Sequence, residues 1–460
     1  MNALTLFIGL FDAQGRAEEI TAYPARRVGE VAFPAGLKRK GRKDMEKKMY
    51  SAVVENFLRY VKIDTQSLEQ YADKTPSTEK QRDLAVLLRD ELLVLGASNV
   101  RYDEEHCYVY AEIPSNLGVK KRVPKIGFIA HMDTSEAVSG ANVKPRIIEN
   151  YDGEDIVLDE KLNIVTHVSE FPMLKACKGK SLIVTDGSTL LGGDDKAGVA
   201  EIMAMAEYFL RHPEVEHGKI CIGFTPDEEV GNGVAFFDID GFDADYAYTV
   251  DGGELGDMSY ECFNAAGATL TVKGKSVHPG YAKNIMKNAI TLAYEFISAI
   301  SGECPENTEG YEGFYHVDSI HGDVEKAVVE FIIRDHDSKK FEQRIQTVRN
   351  NVEMLNSKYG EKRFTVEIKE QYRNMRERIE KELYIVEYAV EAMRRAGVEP
   401  KVSPIRGGTD GARLSFDGLL CPNICTGSEG HHGRNEFACI EDMETIVEIL
   451  KNIVLLPCSE

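Results

Sequence analysis

Three short apolar runs, each ending in carboxylate or imidazole side chains, restrict the fold of this chain more than any other feature. Ile126 to Ala130 leads into His131-Met132-Asp133, Ile220 to Phe224 into Thr-Pro-Asp-Glu228-Glu229, and Tyr246 to Val250 into Asp251-Gly-Gly. A run that is apolar at every position, rather than at alternate ones, is what a strand covered on both faces requires. Helix-spaced segments separate the runs. Val53, Phe57, Leu58 and Val61 form one stripe, and Leu84 to Leu95 another, with Thr78 and Gln81 at capping-box spacing ahead of it. Val199, Ile202, Met203, Ala206 and Phe209 form a third, while Val109, Ala111 and Ile113 alternate as a strand. The pattern predicts an α/β domain with a mixed, mostly parallel sheet flanked by helices. Ligands of such sheets gather outside the carboxyl ends of the strands.

After Gly253 the rhythm changes. Strand signals at Ala268–Val272, Val317–Gly322, Val328–Ile333 and Phe364–Ile368 alternate with helix signals at Asn284–Ile300 and Lys339–Tyr359. That β-α-β-β-α-β order predicts a self-contained α+β domain. A helix over Ile379–Ala396 then returns the chain to the first domain, which closes with Leu419–Thr426 and a helix over Met443–Leu456. The expected boundaries are 49–261 and 376–460 for the two parts of the catalytic domain, with 262–375 inserted between them as a lid. Residues 1–48 stand apart. Leu4 to Phe11 is a short apolar run with no basic residue before it, a poor secretory signal, and the segment closes on Lys38, Arg39, Lys40, Arg42 and Lys43. It reads as a disordered extension or a misassigned start, because Met45 and Met49 stand just before the first convincing helix.

A net charge of −21 argues against nucleic acid as a partner, since phosphates demand basic surface. No apolar run approaches the roughly 18 residues of a membrane span. The nine cysteines are scattered, and Cys421 and Cys425 lack a second Cys/His pair nearby, so core positions in a reducing cytoplasm are expected.

The chemistry centres on LLGGDDKAGVA, residues 190–200, where Asp194 and Asp195 follow a Gly-Gly turn and open the third helical segment. Each acidic or imidazole segment has an ordinary reading by itself. The two aspartates could cap a helix, Glu228-Glu229 could lie on the surface, Asp251 could serve a turn, and His432 in GHHGRNEF could be a loop histidine. Taken together, His131, Asp133, Asp194, Glu228, Glu229, Asp251 and His432 supply two imidazoles and five carboxylates. That set suits two divalent ions, each with one histidine and one carboxylate, and a carboxylate shared between them. Two acids remain for supporting roles. Such ligation is of zinc type, though cobalt or manganese fits too. Paired ions about 3.5–4 Å apart share a water and lower its pKa.

The motifs IAHMDTS, LLGGDDKAG, FTPDEEVG, YTVDGG, SVHPGYAKN, FIIRDHD, RGGTDGARLS and HHGRNEF follow one another over about residues 50–456. In this the chain resembles the di-zinc exopeptidase family, which also contains carboxypeptidases, dipeptidases and deacylases. TEGYEGFYH (308–316) and RGGTDGARLSFDGL resemble more narrowly its tripeptide aminopeptidases. The resemblance implies that Asp194 bridges two zinc ions per subunit, with His131 and Asp251 on one and Glu229 and His432 on the other. It implies Glu228 as general base, Asp133 as the support of His131, and His278 as a lid histidine that steadies the oxyanion. Arg334 is implied as a substrate-binding arginine. His431 competes for the last ligand position, and His432 is preferred because it immediately precedes Gly-Arg-Asn-Glu. The lid matches a common dimerisation surface, which implies a homodimer and leaves open which subunit's His278 serves a given site. The implied protein is a cytoplasmic metallo-aminopeptidase that takes the N-terminal residue from tripeptides. A sister dipeptidase or carboxypeptidase is the nearest alternative. A non-catalytic peptide-binding module is another, and the complete ligand set with Glu228 intact speaks against it.

Overall fold

A computed structural model describes residues 50–118, 122–359 and 362–459; the expected extension, 1–48, lies outside the described residues. The three apolar runs are central strands. In the large sheet the strands run in the order Ser98–Asp103, Tyr108–Ile113, Ile220–Thr225, Ile126–His131, Tyr246–Gly252, Asn423–Cys425, Asp257–Ser259 and Lys401–Val402. The four strands from Ile220–Thr225 to Asn423–Cys425 pair parallel, and antiparallel strands flank them. Ile126–His131 and Ile220–Thr225 are buried at every position, as their apolar runs require. Register then aligns the polar ends: His131 lies opposite Thr225, and Ile129 opposite Thr249, two residues before Asp251.

Helix Gly193–Arg211 lies across these strands, and helices Ala52–Tyr60 and Ile440–Ser459 pack against it. It sits so close that a Cβ at Gly198 would fall 1.9 Å from the Val250 carbonyl oxygen, which admits only glycine there. The segment expected to act as a lid forms a second sheet, ordered Phe314–Gly322, Lys326–Asp335, Asn264–Lys273 and Phe364–Tyr372 and antiparallel throughout. Helices Ala289–Ile300 and Ser338–Tyr359 pack on it, closing a core around Leu270, Phe296, Val329, Phe331 and Phe341. The element order is the expected β-α-β-β-α-β.

Several local expectations fail for identifiable reasons. The helix expected from Asn284 begins at Ala289, because Lys275 and Lys287 form a β-bridge and Asn288 caps the Ile290 and Thr291 N–H groups. The helix expected over Ile379–Ala396 breaks into Arg376–Ile379 and Tyr384–Arg395. Ile379 and Ile385 are both buried, and on an unbroken helix their spacing would set them on different faces. Thr78 and Gln81 do not form a capping box: Thr78 donates to the Gln66 carbonyl, and Gln81 turns inward to Asp227. A small sheet of Arg146–Ile148, Leu182–Val184, Phe437–Cys439 and Ser428–Glu429 had no counterpart in the sequence reading. Its strands are too short for a period to register. All nine cysteines are free, with Cys421 and Cys425 in the core as expected. Among the described residues no helix is long and apolar enough to cross a membrane.

Candidate active site

The two aspartates of the Gly-Gly-Asp-Asp turn divide the roles that the sequence left open. Neither has helical backbone angles. Asp195 takes the capping role, accepting from the Gly198 N–H at 3.2 Å and from the His131 N–H at 3.1 Å. Asp194 is thereby free to face imidazoles. Its Oδ1 lies 2.9 Å from His131 Nε2, and its Oδ2 lies 3.2 Å from His432 Nε2. Each imidazole has a second carboxylate. Asp251 Oδ1 is 3.6 Å from His131 Nε2, and Glu229 Oε2 is 2.8 Å from His432 Nε2. His431 is differently engaged: its Nε2 meets Ser428 Oγ at 3.0 Å, and its Nδ1 stays 3.6 Å from Asp194.

Asp133 organises two segments at once. Its carbonyl oxygen accepts from His131 Nδ1–H at 3.1 Å, which fixes the ring with Nε2 facing Asp194. Its carboxylate accepts the backbone N–H groups of Glu228 and Glu229 at 3.0 and 3.3 Å. Those glutamates sit on a short 3₁₀ turn after the strand end and line a cavity of about 510 Å³ with Asp194, Asp251 and His432.

The electrostatics are those of crowded negative charge. Burial, then the charge of Asp251, pushes Glu228 well above the usual carboxylate range. Burial, partly offset by His432, pushes Glu229 up to about 7. Burial opposes ionisation of Asp194, yet His431, His131 and His432 hold its carboxyl well below that range. The bonds from Asp194 and Glu229 raise His432 to about 11. Glu229 Oε1 is buried without any hydrogen-bond partner, and ligand atoms of His131, Asp194 and Glu229 lie within 4.8 Å of one another. An orphaned carboxylate oxygen among clustered imidazole and carboxylate donors fits a zinc-type divalent ion.

Sequence reasoning missed the residues that hold this constellation in place. Glu436 accepts from the backbone of Leu191, Gly192 and Asp194 at 2.8, 2.7 and 3.0 Å, clamping the turn that presents Asp194. Asp227, with φ 53°, is gripped by the backbone and hydroxyl of Ser77 and by Gln81, each at 2.7 Å or less. Asp410 accepts from Thr225 at 2.9 Å and is pushed up to about 7 by burial. Glu436, Asp227 and Asp410 all lie inside the quoted motifs, which was the signal available.

The lid residues are placed otherwise. His278 is exposed and accepts the Gly280 N–H at 3.1 Å; Arg334 packs 5.5 Å over the Tyr372 ring and donates to the carbonyls of Ala266 and Ile333. Neither lines the cavity. Asp335, the neighbour of Arg334 in the chain, is bonded to Arg344 instead, at 2.7 Å.

Comparison with known proteins agrees with this architecture. A peptidase dimerisation domain matches residues 260–362. Peptidase T of Desulfitobacterium hafniense strain Y51 is 53% identical over 411 residues, 89% of this chain and 99% of the relative. Peptidase T of Alkaliphilus oremlandii is 50% identical over 405 residues, 88% of this chain and 98% of that one. Among solved structures, a tripeptidase from Staphylococcus aureus superposes with a TM-score of 0.71 at 21% identity, covering 89% of this chain and 98% of its own. With half its residues identical to these relatives over nearly their whole length, the chain belongs to the peptidase T family.

Proposed function

We infer that the chain is a metal-dependent aminopeptidase that releases the N-terminal residue from tripeptides. The observation that carries this reading is Asp194 standing between two imidazoles, each with its own second carboxylate, beside a cavity of peptide size. Membership of the peptidase T family supports the substrate class.

Two zinc ions, replaceable by cobalt or manganese, would be held with Asp194 shared, His131 and Asp251 serving one and Glu229 and His432 the other. Such a pair, when bound, acidifies a water and polarises the peptide carbonyl. Glu228, which lines the cavity beside Glu229, would take the proton of the attacking water and return it to the leaving amine. Asp133 fixes the His131 ring through its carbonyl oxygen and the Glu228 backbone through its carboxylate, so one residue sets the spacing of base and ligand. His278 would steady the oxyanion and Arg334 would bind the substrate carboxylate once the lid, from this subunit or its neighbour in a homodimer, is brought over the cavity. A cytoplasmic location suits this activity.

Hydrolysis of free and N-blocked di-, tri- and tetrapeptides, combined with metal analysis, tests the reading. Cleavage of free tripeptides at the first bond, with two zinc ions per subunit, is the expected result. Release of the C-terminal residue, or cleavage of N-blocked peptides, would instead assign a sister activity.

A further inference from the structure

Away from this cavity, three buried side chains from two distant parts of the chain meet. Cys177 ends the 3₁₀ segment Pro172–Cys177, Cys439 ends the strand Phe437–Cys439, and Asp442 lies in the first turn of helix Ile440–Ser459. Each is less than a tenth exposed, and each offers a sulfur or oxygen atom within 4.8 Å of the other two. A tetrahedral zinc ion needs its sulfur and oxygen ligands about 3.5–3.8 Å apart, a short inward movement from there. Cys439 and Asp442 are separated by two residues at a strand-to-helix turn, the spacing with which paired zinc ligands are commonly presented.

Charge favours a divalent ion. Lys180 Nζ lies 2.6 and 2.9 Å from the two Asp442 oxygens, fixing the carboxylate while leaving it lone pairs for a metal. Two thiolates and one carboxylate carry three negative charges; one ammonium and one divalent cation carry three positive ones. Glu441, whose Oε2 lies 3.8 Å from Cys439 Sγ, adds one further negative charge, and a divalent cation is what brings such a cluster near balance. A cavity of about 120 Å³, bordered by all three side chains, leaves space for a water as fourth ligand.

We propose that Cys177, Cys439 and Asp442 form a binding site for a thiophilic divalent metal of the zinc class, separate from the aminopeptidase centre. None of the three lines the larger cavity. The strand ending in Cys439 pairs with Ser428–Glu429, and His431 and His432 lie in the loop between those strands. An ion here ties the 3₁₀ segment, that strand pair and the last helix together.

Cadmium is the probe, because thiolate ligation gives it an ultraviolet charge-transfer band. The full chain, purified with reduced thiols, should take up about one equivalent of Cd²⁺ more than C177S or C439S, and the band should be lost in both. D442N keeps both thiols and guards against misfolding of the cysteine variants; it should retain the band but weaken cadmium binding by at least about tenfold. Equal cadmium uptake by wild type and all three variants, or a reduced wild type without the band, would overturn the proposal. So would a wild type whose two thiols merely cross-link under a disulfide oxidant and add no cadmium over C177S.

Discussion

The large eight-stranded sheet and the sheet of the inserted domain treat their polar side chains in opposite ways. In the large sheet, buried strands in parallel register end together, so side chains far apart in sequence are delivered to one spot with little freedom. His131 is 2% exposed and meets Asp133, Asp194 and Asp251. In the lid, antiparallel strands alternate between buried and open positions, and Arg334 and His278 stand outside the cavity. The contrast separates a cluster that is already assembled from two side chains that serve the site only if, as proposed, their domain is brought over it. Closure of such elements commonly completes catalytic sites and excludes water.

The largest effect should come from breaking the assembled cluster at its chemistry rather than its scaffold. Glu228→Gln keeps the size of the side chain and the backbone bond to Asp133, yet removes the base. Its kcat on tripeptides should fall about 10²–10⁴-fold with metal content unchanged. Glu229→Gln should instead lose metal, with activity partly restored at high zinc. Near-normal kcat in Glu228→Gln would transfer the role of base elsewhere.

That contrast also governs how much could be read without coordinates. The doubly covered strands announce themselves through continuous apolar runs, and their last residues carry the donors, so His131, Glu228, Glu229 and Asp251 were legible together. For Asp194 and Asp195 only the resemblance separated the roles, because adjacent identical residues differ only in the local backbone. Glu436 and Asp227 were illegible for another reason: their partners are backbone N–H groups or side chains far off in sequence, which leave no spacing to find. The lid's elements were legible by period, whereas the distance of Arg334 from the cavity depends on how one domain is set against the other.

The next largest effect compares one histidine from each domain. His131→Ala would remove the buried imidazole that Asp133 and Asp251 face and that Asp194 shares with His432, and losing one partner of a buried ion pair costs about 3–5 kcal/mol. Urea unfolding of metal-free protein should register that loss. His278→Ala, at an exposed site, should leave the unfolding curve unmoved and lower kcat alone. Equal destabilisation by the two would erase the distinction between the domains.

A smaller effect is expected from Arg334. Its guanidinium rests on Tyr372 without a carboxylate partner among the described residues, which leaves it free to pair with a tripeptide's terminal carboxylate. Arg334→Ala should lower kcat/KM on tripeptides by about tens-fold, within the range for losing a partly desolvated charge pair. A C-terminally amidated tripeptide should lose as much with the unmodified enzyme and little more with the variant. Independent, multiplying losses would show that length selectivity comes from elsewhere in the lid.

The smallest expected effect lies where the domains join. His336 is buried against Phe263 with ring centroids 4.2 Å apart, and its Nε2–H donates to the carbonyl of Ile405, a residue lining the cavity. Its Nδ1 is buried with no hydrogen-bond partner. Burial holds the imidazole below its ordinary value; the backbone of Ile405 and Tyr311 and the charge of Glu261 oppose that shift, and Arg406 adds to it. A histidine that is neutral when folded binds its proton more readily when unfolded, so its contribution to stability is present above the unfolded pKa of about 6.5 and is lost as pH falls below it. The slope cannot exceed about 1.4 kcal/mol per pH unit for one proton. His336→Gln keeps a donor for Ile405 but cannot titrate. Urea unfolding between pH 7 and pH 5 should therefore show wild type losing stability more steeply than the variant, by up to that slope. Parallel curves would mean that the imidazole protonates freely in the folded protein. The junction would then be open to water, and the lid would be less firmly seated on the large sheet than the buried ring implies.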